Sequence, residues 1–230
     1  MDGTSYELRV IARIESAFAT KFGIPRQSGL VNDLRARVVF EPPYRSRDAL
    51  RGIDGFSHLW LIWVFDRAAR DNWSPTVRPP RLGGNRRVGV FATRSPFRPN
   101  PVGLSSVELE RVEDDPSRGP VLYVRGADLA DGTPILDIKP YLPYTDAHPD
   151  ARGGFAADAP TAALSVEIAP SLLERVPEAE RAALFGVLSH DPRPRYQDDP
   201  ERVYGFGFAG LEVRFRVSGD CLQVVDISTP

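Results

Sequence analysis

Between Asn72 and Val107 the chain carries six arginines, Arg78, Arg81, Arg86, Arg87, Arg94 and Arg98, and not one acidic residue. The whole chain has 31 acidic residues and a formal net charge of -2, so this positive charge is local. Arginines interleaved with Pro, Gly, Asn and Phe make poor helix. They suit shaped loops instead, and a guanidinium fork held in a loop grips a carboxylate or phosphate through two parallel hydrogen bonds.

Three segments suit a polar ligand. Pro25-Arg26-Gln27 lies in the loop from Phe22 to Leu30. Thr93 to Pro101 sets Arg94, Arg98 and Asn100 among prolines, which stiffens and preorganises the donors. Asp128 to Pro134 (DLADGTP) offers groups able to meet a sugar hydroxyl or a base amino group. Each segment is about as good a structural turn as a site, and Asp131-Gly132 in particular reads as a turn between strands. Asp128, Asp131 and Asp137 fit a divalent ion less simply than they fit that turn. His58, His148 and His190 have no ligand spacing, and Cys221 is the single cysteine, so no metal site is expected. There is no GxGxxG after an opening strand, no Walker loop, no GxSxG and no HExxH.

The elements that must position these loops read mostly as strands. Tyr6–Ile14, Ala36–Phe40, His58–Phe65, Val88–Ala92, Ser105–Val112, Val121–Gly126 and Ile135–Lys139 alternate or carry β-branched and aromatic residues between Pro/Gly-rich connections. That spacing favours an all-β barrel or sandwich over βαβ units. Ala49–Phe56 allows a short helix. Thr145–Pro160 reads as a linker. Beyond it a strand over Ala163–Ile168, a helix over Pro170–His190 stopped by Pro192 and Pro194, a hairpin of Tyr204–Phe208 and Leu211–Val217 turning at Gly210, and a last strand over Leu222–Ile227 make a small α+β unit. The expected division is a β-domain over residues 1–150 and a smaller α+β domain over 151–230. At 230 residues and 42% hydrophobic the chain can bury a sizeable core. No cationic segment followed by an apolar one opens the chain, and Leu59–Phe65 is too short to cross a bilayer, so a soluble cytoplasmic protein is expected.

Gly89–Ser105 (GVFATRSPFRPNPVGLS) resembles the signature of the TsaA-like family, the TrmO tRNA methyltransferases. The likeness extends in order and spacing through Phe22–Val31, Phe56–Phe65, Trp73–Asn85, Leu129–Ala151 and Asp191–Tyr196, and so spans essentially the whole chain. The resemblance implies a single-sheet β-barrel, unlike the doubly wound methyltransferase fold, and a homodimer. It implies transfer of a methyl group from S-adenosylmethionine to N6 of threonylcarbamoyladenosine at position 37 of threonine tRNA, without a metal. It places the cofactor against Pro25, Arg26 and Gln27, against Asp66 and Arg67, against Arg94 and Leu104, and against Asp128, Leu129, Ala130, Asp131, Gly132 and Thr133. Arg94, Asp128, Asp131 and Tyr141 stand as catalytic candidates, an Asp or Tyr to take the N6 proton and Arg94 or Arg98 to meet the threonyl carboxylate. Arg78, Arg81, Arg86, Arg87, Arg98, Asn100, Arg193 and Tyr196 are left for the RNA. Two other classes fit the residues less well, an RNA-binding accessory protein without turnover and a methyltransferase of small metabolites.

Overall fold

The computed structural model describes residues 5–68, 73–157, 164–193 and 199–230. Strands β1 (Ala12–Glu15), β2 (Arg35–Phe40), β3 (His58–Val64), β4 (Thr76–Val77), β5 (Val88–Gly89), β6 (Val102–Asp115), β7 (Gly119–Arg125) and β8 (Pro134–Pro140) precede a single-turn helix α1 (Pro143–Asp146). They are followed by β9 (Ser165–Glu167), α2 (Pro170–Leu173), α3 (Glu178–Ser189), β10 (Tyr204–Phe208), β11 (Leu211–Ser218) and β12 (Cys221–Ser228).

Six strands form one sheet in the order β1-β2-β7-β6-β3-β8, and the order closes, because β1 pairs antiparallel with β2 on one side and with β8 on the other. Alternation decides what each strand buries. Ala36, Val38 and Phe40 of β2 and Leu59, Leu61 and Trp63 of β3 point inward at every second position, the pleat period. They pack with Ile14, Val107, Leu122, Val124 and Ile135 into one apolar cluster. Leu59 and Leu61 are fully buried, and truncating either to Ala should cost roughly 2–5 kcal/mol.

A second core lies under a four-stranded sheet of order β10-β11-β12-β9. Helix α3 covers it with Ala183, Leu184, Val187 and Leu188, one stripe at helical spacing. The N-terminal half contributes to this core as well: Phe18, Val31 and Leu34, from the loop between β1 and β2, are buried in it. Close approach fixes that seam. A Cβ on Gly23 would lie 2.4 Å from the Phe206 ring, and one on Gly186 would lie 2.5 Å from Val31.

The mainly β reading with a small α+β part holds, and several boundaries move. Residues 6–11 lie outside any strand, with Tyr6 and Leu8 exposed, because the ladder to β2 and β8 begins only at Ala12. The strand expected over Val88–Ala92 stops at Gly89 and becomes a 3-10 turn over Val90–Ala92. Ala49–Phe56 holds two 3-10 turns and no α-helix. The long helix over Pro170–His190 is two helices, because Pro177 has no N–H to donate and stands as the N-cap of α3. No helix among the described residues is long and apolar enough to cross a membrane.

Gly23 also has φ +88, in the left-handed region. Gly23→Ala combines backbone strain with overpacking against Phe206, together about 2–4 kcal/mol. Thermal unfolding should show a melting temperature lower by roughly 5–15 °C.

Candidate functional site

Closure of the sheet brings six strand ends together. The last residues of β1, β3 and β7 and the first residues of β2, β6 and β8 lie at one end of the ring, as the antiparallel registers require. The loops 16–34, 65–68, 93–101 and 126–133 therefore share that end. Backbone hydrogen bonds lace two of them together: Gly29 N–H donates to Gly126 O at 2.9 Å, Gly126 N–H to Leu34 O at 2.8 Å and Asp131 N–H to Phe18 O at 2.8 Å.

At this end Asp128 sits in a connected polar network. The Trp63 indole N–H donates to Ser105 Oγ at 3.0 Å, and the Ser105 hydroxyl donates to Asp128 Oδ1 at 2.5 Å. Burial pushes the Asp128 carboxyl above the ordinary carboxylate range; the Ser105 hydroxyl, its own backbone N–H, the charge of Arg94 and the Ser28 N–H pull it down without cancelling the burial. The Arg94 guanidinium in turn donates to Gln27 Oε1. Arg94, Gln27, Ser28, Asp128, Ser105 and Trp63 thus form one unit drawn from five separate segments. Gly103 makes room for it, since a Cβ there would lie 2.2 Å from the Trp63 ring.

Outward from Arg94 and Gln27 opens a cleft of about 1610 Å³. It gathers Arg26, Arg78, Arg81, Arg87, Arg94 and Arg193, adds Lys21 and Arg152, and has no Asp or Glu among its described lining residues. The apparent linker supplies one wall, through Arg152 and Phe155. Eight cations line one concavity that no Asp or Glu among its described lining residues shares, which gives a positive field suited to a polyanion.

Several expected site residues serve the fold instead. Arg98 was expected to meet substrate, yet its guanidinium donates to the carbonyls of Ser95 at 3.0 Å, Val90 at 3.2 Å and Thr93 at 2.6 Å, so it braces its own loop. Arg193 lines the cleft, but Asp191 holds its guanidinium through bonds of 2.9 and 3.0 Å. Arg67 ties two loops, donating to Ala19 O at 2.6 Å and Asp131 O at 2.5 Å. The Asp131 carboxylate accepts from Ser16 N–H at 3.0 Å and faces a separate small cavity with Glu15 and Glu110, which removes it from the catalytic candidates. Leu129, Ala130 and Thr133 are buried, and Thr133 Oγ1 closes the turn onto Ala130 O at 2.7 Å, with Gly132 at φ +77 completing it.

Tyr141 is placed beyond the far end of β8, against His58 and Trp60. Ser105, the partner of Asp128, stands opposite Leu61, and Leu61 opposite Ile138, so Tyr141 lies three residues along the chain from the level of that network. Asp66 and Asn100 are exposed in turns, Leu104 is half exposed on the outer face of β6, and Arg86 is exposed outside the cleft lining. Pro25 is partly buried beside Arg26. Tyr196 lies outside the described residues. Sequence reasoning missed Ser105 and Trp63, although both carried a signal: a serine at an inward position of an alternating strand, and a buried indole, each need a partner. Among the described residues no cluster of three His, Cys, Asp or Glu is arranged to hold a metal ion.

The chain is similar to known proteins along nearly its whole length. Residues 13–147 match the family model of the tRNA-methyltransferase O N-terminal domain, and residues 161–230 match that of the TrmO C-terminal domain. A tRNA (adenine(37)-N6)-methyltransferase of Escherichia coli strain K12 is 43% identical over 229 residues, covering 96% of this chain and 97% of that protein. An enzyme of the same name from Eikenella corrodens is 53% identical over 163 residues, 70% of this chain and 91% of its own length. The crystal structure of TrmO from Pseudomonas aeruginosa superposes with a TM-score of 0.79 at 33% identity, covering 98% of this chain and 100% of that one.

Two outcomes are expected from the network. Gly103→Ala should displace Trp63, loosen Ser105 and Asp128, and lower stability by about 1–3 kcal/mol, read by denaturant titration. For Asp128 the folded state favours the protonated carboxyl. Its contribution to stability is therefore full below the unfolded carboxylate pKa and is lost as pH rises through the raised folded value. Thermal melts of Asp128→Asn should accordingly gain on the native chain as pH rises across that window, and an opposite trend would contradict the burial argument.

Proposed function

The chain belongs to the tRNA-methyltransferase O family, and on that footing we propose that it transfers a methyl group from S-adenosylmethionine to N6 of adenine 37 in tRNA. The observation that carries this reading is the Arg94–Gln27–Ser28–Asp128–Ser105 network standing at the head of an acid-free cationic cleft. A polyanionic RNA fits that cleft, and a small metabolite has no need of so many cations. A non-catalytic RNA-binding protein leaves the buried, proton-avid carboxyl of Asp128 without a purpose.

The donors at the ring end fit the cofactor's chemistry. Its carboxylate matches a guanidinium, its ammonium matches acceptors such as Gln27 Oε1 and loop carbonyls, and the loops 22–30 and 126–133 supply main-chain groups for an adenosine. When bound, S-adenosylmethionine supplies an activated methyl, so no metal is called for. The chain must hold N6 in line with that methyl and deal with the N6 proton. We assign the second task to Asp128, whose raised proton affinity suits a base. Ser105 and Trp63 hold that carboxyl in place through their chain of hydrogen bonds. Arg94, exposed at the same point, is the proposed partner for the carboxylate of a threonylcarbamoyl group on the base. Arg78, Arg81 and Arg87 are the proposed phosphate contacts.

The finer reading is a threonine tRNA already carrying the threonylcarbamoyl group, acted on in the cytoplasm by a homodimer whose barrel end is the cofactor site. Sedimentation analysis should find two chains per particle. The in vitro test compares a threonine tRNA transcript with and without the threonylcarbamoyl group in one methyl-transfer assay. Transfer should need the group, because an arginine built for its carboxylate is otherwise left without its anion; equal rates on both would return Arg94 to a structural role. Arg94→Ala should lower kcat about 100-fold, a loss that saturating RNA does not restore. Arg87→Ala should weaken tRNA binding and reduce its salt slope by about one. Asp128→Asn should depress kcat and flatten its rise with pH while cofactor binding, read by calorimetry without divalent ions, persists.

A further inference from the structure

Two aromatic rings beside the cleft have no part in the network just described. Trp73 is 49% exposed and Phe91 76% exposed, yet they stack on each other, with centroids 6.2 Å apart and planes inclined by 26°. Core rings such as Phe18, Phe208 and Phe215 are at most 1% exposed, whereas Tyr6 and Tyr144 are exposed singly; Trp73 and Phe91 are exposed as a stacked pair. Leaving so much of a stacked pair in water forgoes burial of apolar area.

Phe91 is also held firmly. Trp73 precedes and Phe91 follows the two-stranded ribbon of β4 and β5, in which Thr76 pairs with Gly89 and Val77 with Val88. The ribbon is extended by Val90 N–H donating to Pro75 O at 3.0 Å. The turn that carries Phe91 is fixed from behind by the Arg98 guanidinium on Val90 O and Thr93 O, and by Thr93 Oγ1 on Val90 O at 2.8 Å. Arg98, lost to substrate, thereby presents Phe91. Phe91 itself lines the cleft together with Arg78, Arg87 and Arg94.

A rigid, exposed aromatic surface bordering an acid-free arginine surface has the chemistry of single-stranded RNA recognition, in which an unpaired base stacks while its phosphates lie among cations. An acidic peptide would use the arginines but leave the flat rings unexplained. We propose that Trp73 and Phe91 form a shelf on which an unpaired base of the tRNA loop, a neighbour of the target adenine, stacks during methyl transfer. This rests on the tRNA reading above and adds to it a specific recognition element. The shelf holds the RNA and leaves the cofactor untouched.

The test uses the full chain and three variants, Phe91→Ala, Trp73→Ala and Phe91→Tyr, with tRNA binding, tRNA KM, cofactor binding and melting temperature measured for each. Phe91→Ala and Trp73→Ala should each raise the tRNA Kd and KM about 10-fold. Cofactor affinity and melting temperature should stay put, since both rings are exposed. The salt slope should also be unchanged, unlike that of Arg87→Ala. Phe91→Tyr keeps a ring and should bind within about 2-fold of the native chain. An anticodon stem-loop with one abasic nucleotide moved through the loop should show one position at which Phe91→Ala makes no further difference. Native methylation combined with unaltered tRNA binding by Phe91→Ala would overturn the shelf alone, as would a loss of cofactor affinity in place of RNA affinity. A native chain that binds no tRNA would overturn the shelf together with the reading beneath it.

Discussion

Four residues, Ala12–Glu15, hold the large sheet closed, because β1 is the strand that pairs with both β2 and β8. An antiparallel ring has a fixed consequence: alternate connections must emerge at the same end. That is why loops distant in sequence meet. Asp128 meets Ser105 because it prolongs the β6–β7 ladder, in which Arg125 stands opposite Glu108, and Arg94 meets Gln27 across 67 residues where the loops 93–101 and 16–34 lie at that end. Without β1 the ring would be an open sheet with two edges, and β2 and β8 would no longer be joined.

Within that frame, arginine does two kinds of work. Arg67, Arg98 and Arg193 spend their donors on carbonyls or on Asp191 and act as cross-ties in segments with little regular structure. Arg78, Arg81, Arg87 and Arg94 keep their charge toward the cleft. The first group lets loops rich in proline and glycine hold a shape that backbone ladders alone would not give. The second exploits that shape, and no carboxylate among the described residues lines the cavity beside it. The C-terminal unit belongs to the same design. Its core takes in Phe18, Val31 and Leu34, so the loop carrying Arg26 and Gln27 is anchored at both ends in an apolar cluster outside the ring.

What the sequence made legible follows from the range of each signal. Period-two alternation in Ala36–Phe40, His58–Val64 and Leu211–Val217 is local and strong, and those strands stand where alternation puts them. The signature over Gly89–Ser105 contains Arg94, and Arg94, Gln27 and Asp128 do come together. What residue type could not tell was which arginine points outward. Arg94 and Arg98 lie four positions apart in one loop, and only the folded turn assigns one to the cleft and the other to Val90 and Thr93 carbonyls. Tyr141 stands past the last residue of β8 against His58 and Trp60, a placement its neighbours in sequence do not reveal. Ser105 and Trp63 escaped notice because their meaning lies in the pairing of β3 with β6.

The central claim is that this ring end, with Asp128 behind Arg94, is where a methyl group reaches N6 of adenine 37. Nucleoside mass spectrometry of threonine tRNA from a strain lacking the gene, complemented with either the native chain or Asp128→Asn, addresses it directly. The account predicts that the N6-methyl mark on the position-37 nucleoside disappears in the deletion, returns with the native chain and stays largely absent with Asp128→Asn. Persistence of the mark in the deletion strain, or its full return with Asp128→Asn, would contradict it.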